Sequence, residues 1–341
     1  MNFLFRTDAS TAIGLGHVMR CIALAQAART AGHSCVFAMA PGASAMEHRL
    51  QEEGCNVVNI VAQPGSKEDA TESVEIARKQ AVDWIIVDGY QFNGAYQEVI
   101  RKGKVPFLFV DDYGHGAPYK ANLILNQNSY APRHTDWYVE RPSSAQLLLG
   151  SPYTMLRREF LTVPQKEEAP AVTTYVLLTL GGGDPRNATL RITEALKLIE
   201  DIPLEVTVVV GGANLHLPEI NAASGNMHIV VDTTEMPALM AQADLAIAAS
   251  GTTAYELAFL GIPTILCVLA QNQQMVGDDL KARQVADLLG DPFVHTPAEI
   301  AQRIRAIALD RTRRATYTRN SRALIDGQGS SRVLSALLAS H

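Results

Sequence analysis

Apolar residues recur along this chain in two ways. Some form short, nearly unbroken runs, and others return every three or four positions, which are the patterns of buried strands and of helices. In the first half, residues 2–6, 34–39, 84–87, 106–110, 123–125 and 146–149 read as strands. Residues 16–30 read as a helix whose apolar face carries Met19, Cys21, Ile22, Leu24, Ala25 and Ala28, with Gly32 ending it. Helical patterns fall between several of the strands. A second alternating series has strands at 175–180, 205–210, 227–231, 245–248 and 264–269, and helices at 186–199, 236–243 and 253–260. Thr296-Pro297-Ala298-Glu299 is a capping box with proline at the first helical position, and helices close the chain.

Between the two series, residues 162–170 (Thr-Val-Pro-Gln-Lys-Glu-Glu-Ala-Pro) are polar, charged and rich in proline, which marks a linker. A chain of 341 residues also exceeds the size at which one hydrophobic core keeps growing. The expected architecture is therefore α/β, with two doubly wound Rossmann-like domains, 1–163 and 171–341, facing a central cleft. Ligands of such sheets bind beyond the carboxyl ends of the strands, so functional residues should lie in the loops that follow them.

Composition narrows the function. Hydrophobic residues make up 47% and charged residues 19%, which suits a compact protein. With 29 basic against 35 acidic side chains, the net charge of −6 disfavours nucleic acid as a partner but leaves room for a small anionic ligand bound by backbone N–H groups. The longest apolar stretches, such as 262–270, are about half of what a spanning helix needs, so no membrane insertion is expected. The first residues lack the pattern of a secretion signal. Cys21, Cys35, Cys55 and Cys267 form no Cys-x-x-Cys pair, and free thiols in a cytoplasmic protein are the simplest reading.

The loop after the first strand contains Gly14 and Gly16, whose glycines permit a tight turn and a close approach to a ligand, and His17 follows at the first turn of the helix. A neutral imidazole there can take a proton from water, and a helix-capping histidine is the alternative. The spacing Gly14-x-Gly16-x-x-Met19 is not the dinucleotide fingerprint, which disfavours an NAD(P) enzyme, and no cofactor is expected. In the second half, Gly181-Gly182-Gly183-Asp184-Pro185 follows a strand and offers either a phosphate seat at Gly182 and Gly183 or a tight turn with Asp184 as helix cap. Ser250-Gly251-Thr252-Thr253 follows another strand and supplies hydroxyl and backbone donors for a diphosphate. Glu256, one turn later, can accept both hydroxyls of a ribose, although a carboxylate near a helix start also stabilises the helix. Gln271-Asn272-Gln273 ends the next strand and suits a base, a phosphate or a sugar, or else simple solvation. Asp88 and Tyr90 end a strand and should face the cleft, Asp88 alternatively capping a helix. Asp111 and Asp112 are adjacent carboxylates that diverge on a strand, so metal binding there is the weaker reading, and no metal is expected.

Taken in order, these residues resemble the UDP-2,4-diacetamido-2,4,6-trideoxy-β-L-altropyranose hydrolases of pseudaminic acid biosynthesis. The likeness runs through Gly14-x-Gly16-His17-Val18-Met19-Arg20-Cys21, Val87-Asp88-x-Tyr90, Val110-Asp111-Asp112 and Leu125-Asn126-Gln127-Asn128. It continues through Leu149-Gly150-x-x-Tyr153-x-x-Leu156-Arg157, Gly182-Gly183-Asp184-Pro185, Gly251-Thr252-Thr253-x-x-Glu256 and Asn272-Gln273, and so covers nearly the whole chain. The Gly-His-x-x-Arg opening is its most specific part; the C-terminal motif is shared with many glycosyltransferases. The resemblance implies a GT-B-like fold and metal-independent, inverting hydrolysis of a UDP-sugar at the anomeric carbon. On this reading His17 activates water, Tyr90 helps to place sugar and water, and Glu256 grips the ribose. Asn272, with the backbone of Gly251, Thr252 and Thr253, holds the rest of the nucleotide; Arg20, Asp88 and Gln273 join the substrate site. The expected partner is the UDP-sugar alone, bound by a monomer or weak dimer. Gly183, Tyr255 and the stretch Asp112-Tyr113-Gly114-His115-Gly116 depart from the family pattern, and these departures bear on which sugar is bound.

Rival readings keep the nucleotide grip and change the rest. A GT-B glycosyltransferase would replace water by an acceptor hydroxyl and needs an acceptor groove. A 2-epimerase would need further acids near the sugar. A nucleotide-sugar-binding protein without turnover would not depend on His17.

Overall fold

The computed structural model describes residues 1–9, 14–42, 44–166, 170–212 and 214–340. Residues 10–13 of the N-terminal glycine loop and 167–169 of the linker, both singled out from the sequence, lie outside the described residues. The chain divides into two compact units, Met1–Arg158 together with Gly327–His341, and Glu159–Asp326.

In the first unit the chain runs β1 (Asn2–Thr7), α1 (Gly16–Thr30), β2 (Ser34–Met39), α2 (Ser44–Glu52), β3 (Asn56–Asn59), α3 (Lys67–Lys79), β4 (Trp84–Asp88), α4 (Gly94–Lys102), β5 (Phe107–Val110), β6 (Leu123–Asn126) and β7 (Gln146–Leu149). These seven strands form one parallel sheet in the order β3-β2-β1-β4-β5-β6-β7. Both of its faces are covered. Phe3 and Phe5 of β1 pack on one side with residues of α1, and Leu4 packs on the other with Val74 of α3 and Ile100 of α4. That is why β1 reads as a continuous apolar run rather than an alternating one. Phe5 stacks on Phe37 of β2 at 4.7 Å between centroids.

The chain then passes through α5 (Arg158–Thr162) into the second unit. Its elements are β8 (Tyr175–Thr179), α6 (Ala188–Lys197), β9 (Glu205–Val210), α7 (Leu217–Ser224), β10 (His228–Val231), α8 (Met236–Gln242), β11 (Leu245–Ala249), α9 (Thr252–Leu260), β12 (Thr264–Cys267), α10 (Gln274–Ala282), β13 (Asp287–Gly290), α11 (Pro297–Leu309) and α12 (Arg311–Leu324). The six strands are again parallel, in the order β10-β9-β8-β11-β12-β13. The capping box at the start of α11 is present as read, with Thr296 and Glu299 each bonding the other's backbone.

Two differences from the sequence reading have simple causes. The strands β3 and β13 were not anticipated: each is only four residues long and closes an edge of its sheet, where the hydrophobic pattern is weakest. The last helix, α13 (Gly329–Ala339), was assigned with 171–341 but belongs to the first unit. Helix α1 is buried nearly all round, so the sheet alone cannot cover it; Val333, Leu334 and Leu337 of α13 join its core. No described helix is long and apolar enough to cross a membrane.

Each sheet has one place where the strand order turns back, β1 beside β4 in the first unit and β8 beside β11 in the second. Connections leave such a point in opposite directions and open a crevice at the carboxyl ends of the two strands. The sequence motifs cluster there.

Candidate functional site

In the first unit, Gly14 has φ +81°, a left-handed backbone that glycine adopts without strain, and Gly16 opens α1. From the helix start, His17, Arg20 and Cys21 stand at i, i+3 and i+4, hence on one face. That face meets Asp88, the last residue of β4 and the register partner of Thr7 at the end of β1. His17 Nδ1 lies 2.7 Å from Asp88 Oδ1. Arg20 donates to both oxygens of Asp88, Nε to Oδ2 and Nη2 to Oδ1, each at 2.7 Å. The Cys21 thiol reaches Asp88 Oδ2 at 3.4 Å.

These contacts assign the imidazole tautomer. Arg20 Nη2 also lies 3.1 Å from His17 Nδ1, but an N–H of Arg20 cannot bond an Nδ1 that itself carries hydrogen. The shorter contact is to a carboxylate, which accepts only, so Nδ1 carries the hydrogen and Nε2 carries the lone pair in the neutral ring.

Arg20 continues to a second carboxylate, Asp112, in the loop after β5, with contacts of 2.8 and 3.1 Å. Asp112 also accepts from the Tyr90 hydroxyl at 2.9 Å and from Asn128 Nδ2 at 2.9 Å. The Tyr90 ring stands edge-on to His17, 4.5 Å between centroids, which closes the circuit. Burial by itself pushes the carboxyls of Asp88 and Asp112 up. The Arg20 guanidinium more than reverses this, with His17 adding to it, and both are held below the usual carboxylate range.

Adjacent Asp111 turns the other way and accepts from the Gly114 and Gly116 amides and from Tyr138, so the two carboxylates do diverge. Among the described residues, no group of three or more His, Cys, Asp or Glu side chains is arranged to hold a metal ion. Asp88 is fully buried and Arg20 only 5% exposed. In the structure their polar atoms are committed to each other, to His17 and to Asp112, because an unpaired buried charge is far more costly.

Several partners were not read from the residues. Asn126 and Asn128 brace the Asp112 loop, Asn126 Nδ2 bonding the Asp112 carbonyl at 2.7 Å. The rule applied to Gln271-Asn272-Gln273, that amides ending a buried strand need partners, would have found them at Asn126-Gln127-Asn128. A further buried network joins Arg6 to both oxygens of Asp69 at 2.8 Å and to Asp8 at 2.6 Å, while Asp8 holds the Ala40 amide and Gln91. Arg6 lies inside a strand and its pattern hid it.

In the second unit the loops after β8, β11 and β12 lie side by side, since these strands are neighbours in one parallel sheet. Asp184 is buried and accepts from the amides of Ala188 and Thr189 at 2.9 and 2.7 Å. Helix α6 begins two residues later than expected, with Asn187 as its cap. Gly182 packs against the loop after β9: a Cβ on Gly211 would fall 2.4 Å from its Cα and carbonyl oxygen. Ser250 is turned to the backbone of the next strand. Its hydroxyl is fully buried and donates to the Cys267 carbonyl at 3.0 Å.

Helix α9 starts at Thr252 behind Gly251, which as the N-cap residue has no side chain to bond the first-turn amides. Thr252, Thr253 and, one turn on, Glu256 are half-buried, while Tyr255 points into the core. Gln273 accepts the Leu269 amide with Oε1 at 2.9 Å, which leaves Nε2 as the end facing Gly251, 4.0 Å from where a Gly251 side chain would begin. Donors therefore converge at this helix start. Asn272 is exposed on the turn beside Gln273.

Residues 177–332 match the glycosyltransferase family 28 C-terminal domain. A Campylobacter jejuni UDP-2,4-diacetamido-2,4,6-trideoxy-β-L-altropyranose hydrolase is 22% identical over 264 residues, 76% of this chain and 89% of that protein. This chain is thus similar in sequence to those hydrolases. The uncharacterized protein MJ1062 of Methanocaldococcus jannaschii is 25% identical over 282 residues, 80% of this chain but only 56% of that protein's length. Among solved structures, MurG of Acinetobacter baumannii superposes with a TM-score of 0.68 at 16% identity, covering 99% of both chains. The fold is thus GT-B-like, two parallel-sheet α/β domains.

Proposed function

We propose that this chain is a UDP-sugar hydrolase of glycan biosynthesis, releasing UDP and a free 2,4-diacetamido-2,4,6-trideoxy sugar. The observation that supports it most directly is the His17–Asp88 pair, a buried carboxylate that holds an imidazole with its basic nitrogen turned away from it. In this reading His17 Nε2 takes a proton from water. The water oxygen bonds the anomeric carbon as the bond from that carbon to the diphosphate oxygen breaks, with inversion. UDP leaves with its electron pair, and the His17 proton returns to solvent. Asp88 orients the ring, Arg20 secures Asp88, and Tyr90 helps to place the water and the sugar.

The start of α9 seats the diphosphate through the amides of Thr252 and Thr253, with Gly251 allowing close approach and Gln273 adding a donor. A helix start of this kind stabilises negative charge as it builds on the leaving phosphate. Glu256 takes the ribose hydroxyls, Asn272 contacts the nucleotide, and the Gly182–Gly183 backbone lines the same sheet edge. The chemistry asks for no cofactor.

The family 28 match and the likeness to MurG favour a second reading, transfer of the sugar to an acceptor hydroxyl. Incubation of the UDP-linked sugar in H₂¹⁸O separates the two. Hydrolysis yields free UDP without any acceptor and puts ¹⁸O on sugar C1. No UDP without an added acceptor would overturn the hydrolase, and ¹⁸O on the phosphate would overturn attack at carbon.

A further inference from the structure

Resting on the hydrolase reading, we propose that Asp112 is a positioning residue that acts through Tyr90. It takes the phenol proton, so that the Tyr90 oxygen presents a lone pair and receives a hydrogen bond from the attacking water.

The side chain of Asp112 is surrounded by donors. Oδ1 accepts from Arg20 Nη1 at 2.8 Å and Asn128 Nδ2 at 2.9 Å, and Oδ2 accepts from Arg20 Nη2 at 3.1 Å and Tyr90 at 2.9 Å. Its main-chain carbonyl is held as well, by Asn126 Nδ2 at 2.7 Å and the Tyr130 hydroxyl at 3.0 Å, so the loop has little freedom to turn the carboxylate away. A carboxylate has no hydrogen to give, and therefore the proton between Asp112 and Tyr90 belongs to the phenol and points at Asp112. Burial pushes the Asp112 carboxyl up, but the adjacent Arg20 guanidinium holds it well below the usual range, which favours the charged, accepting form.

The direction of that one proton matters for attack on carbon. Water has two hydrogens and two lone pairs. If His17 Nε2 accepts one hydrogen and Tyr90 the other, both hydrogens are restrained and a lone pair is turned outward to the anomeric carbon. A phenol that donated instead would tie up a lone pair and weaken the nucleophile. The edge-on contact of the two rings at 4.5 Å places the phenol and the imidazole as neighbours. Through Arg20, which bonds both Asp88 and Asp112, the same guanidinium supports the orienting carboxylate of each.

The test is a double-mutant cycle on UDP release with Tyr90→Phe and Asp112→Asn, each variant first checked for its thermal midpoint. An amide at 112 can donate to Tyr90 and reverse its polarity. Asp112→Asn alone should lower kcat by ~10–100-fold with KM changed less than about twofold. In the Tyr90→Phe background the same substitution should cost less than about a further twofold, because its target is gone. Equal losses in both backgrounds, or a change confined to KM, would overturn the inference. If Asp112→Asn does not fold, Asp112→Glu keeps the charge facing Arg20 while shifting the acceptor, and the cycle is read with it. A wild-type protein that releases no UDP overturns the hydrolase reading and this inference together; UDP release with additive losses overturns this inference alone.

Discussion

His17 Nδ1 lies 2.7 Å from Asp88 Oδ1, although the two residues are 71 positions apart in the chain. Parallel pairing of β1 with β4 brings them together, because Thr7, the last residue of β1, is in register with Asp88. A carboxylate at that spot selects the tautomer of a histidine at the start of α1.

Replacing Asp88 by Asn removes that selection. The amide can donate to Nδ1 and shift the ring hydrogen to Nε2, where it blocks proton uptake. Asp88→Asn and His17→Ala should each lower UDP release by ~10²–10⁴-fold while leaving UDP affinity nearly unchanged. Steady-state kinetics and calorimetric titration with UDP check this; wild-type turnover in either variant would remove the pair from the chemistry.

The same carboxylate gives an acid limit to stability. Burial raises the Asp88 carboxyl, but Arg20 and His17 outweigh it, so its folded value lies below the unfolded one. Stability from this pairing is then complete above the unfolded value, about 3.9, and is lost as pH falls through the lower folded value. Thermal midpoints followed by circular dichroism should hold level from about pH 7 to 5 and drop below about pH 4. Asp88→Asn should start from a lower midpoint and drop less steeply; parallel curves would contradict the assignment.

In the second unit, Glu256→Ala should weaken UDP binding by ~1.5–3 kcal/mol, the range for hydrogen bonds to a charged group. Calorimetry reads the change directly, and an unaltered titration would take Glu256 out of the nucleotide site.

Two glycines there should behave differently. A methyl on Gly211 would meet the Gly182 backbone at 2.4 Å, and neither side can yield without moving its loop. Gly211→Ala should cost about 1–3 kcal/mol of stability by denaturant unfolding. Gly251→Ala finds nothing nearer than the Gln273 amide at 4.0 Å, so it should fold normally and lose UDP affinity only. Equal stability of the two variants would refute this reading of the loops.

Much of the architecture was legible before any coordinates. Strands buried on both faces carry unbroken apolar runs, which made the two parallel sheets visible and put the loops that follow them under suspicion. The segments that escaped were those where local pattern is weak or hidden: the four-residue edge strands β3 and β13, and Arg6, a charge inside an apolar strand. The last helix could not be assigned to its unit from the chain, since its apolar stripe says that it must be covered and not by what.

The sequence alone determined the element types, the glycine turns and the presence of His17, Tyr90, Asp88 and Glu256 at strand ends or helix starts, because these follow from backbone geometry and short-range periodicity. Only the tertiary structure decided who answers whom. It joined Asp88 and Arg20 to His17 and Asp112, turned the Ser250 hydroxyl to a backbone carbonyl, and brought Asp112 to Tyr90. The reason is physical: a buried polar atom must find a partner, and which one it finds depends on contacts between residues far apart in the chain, about which local patterns carry no information.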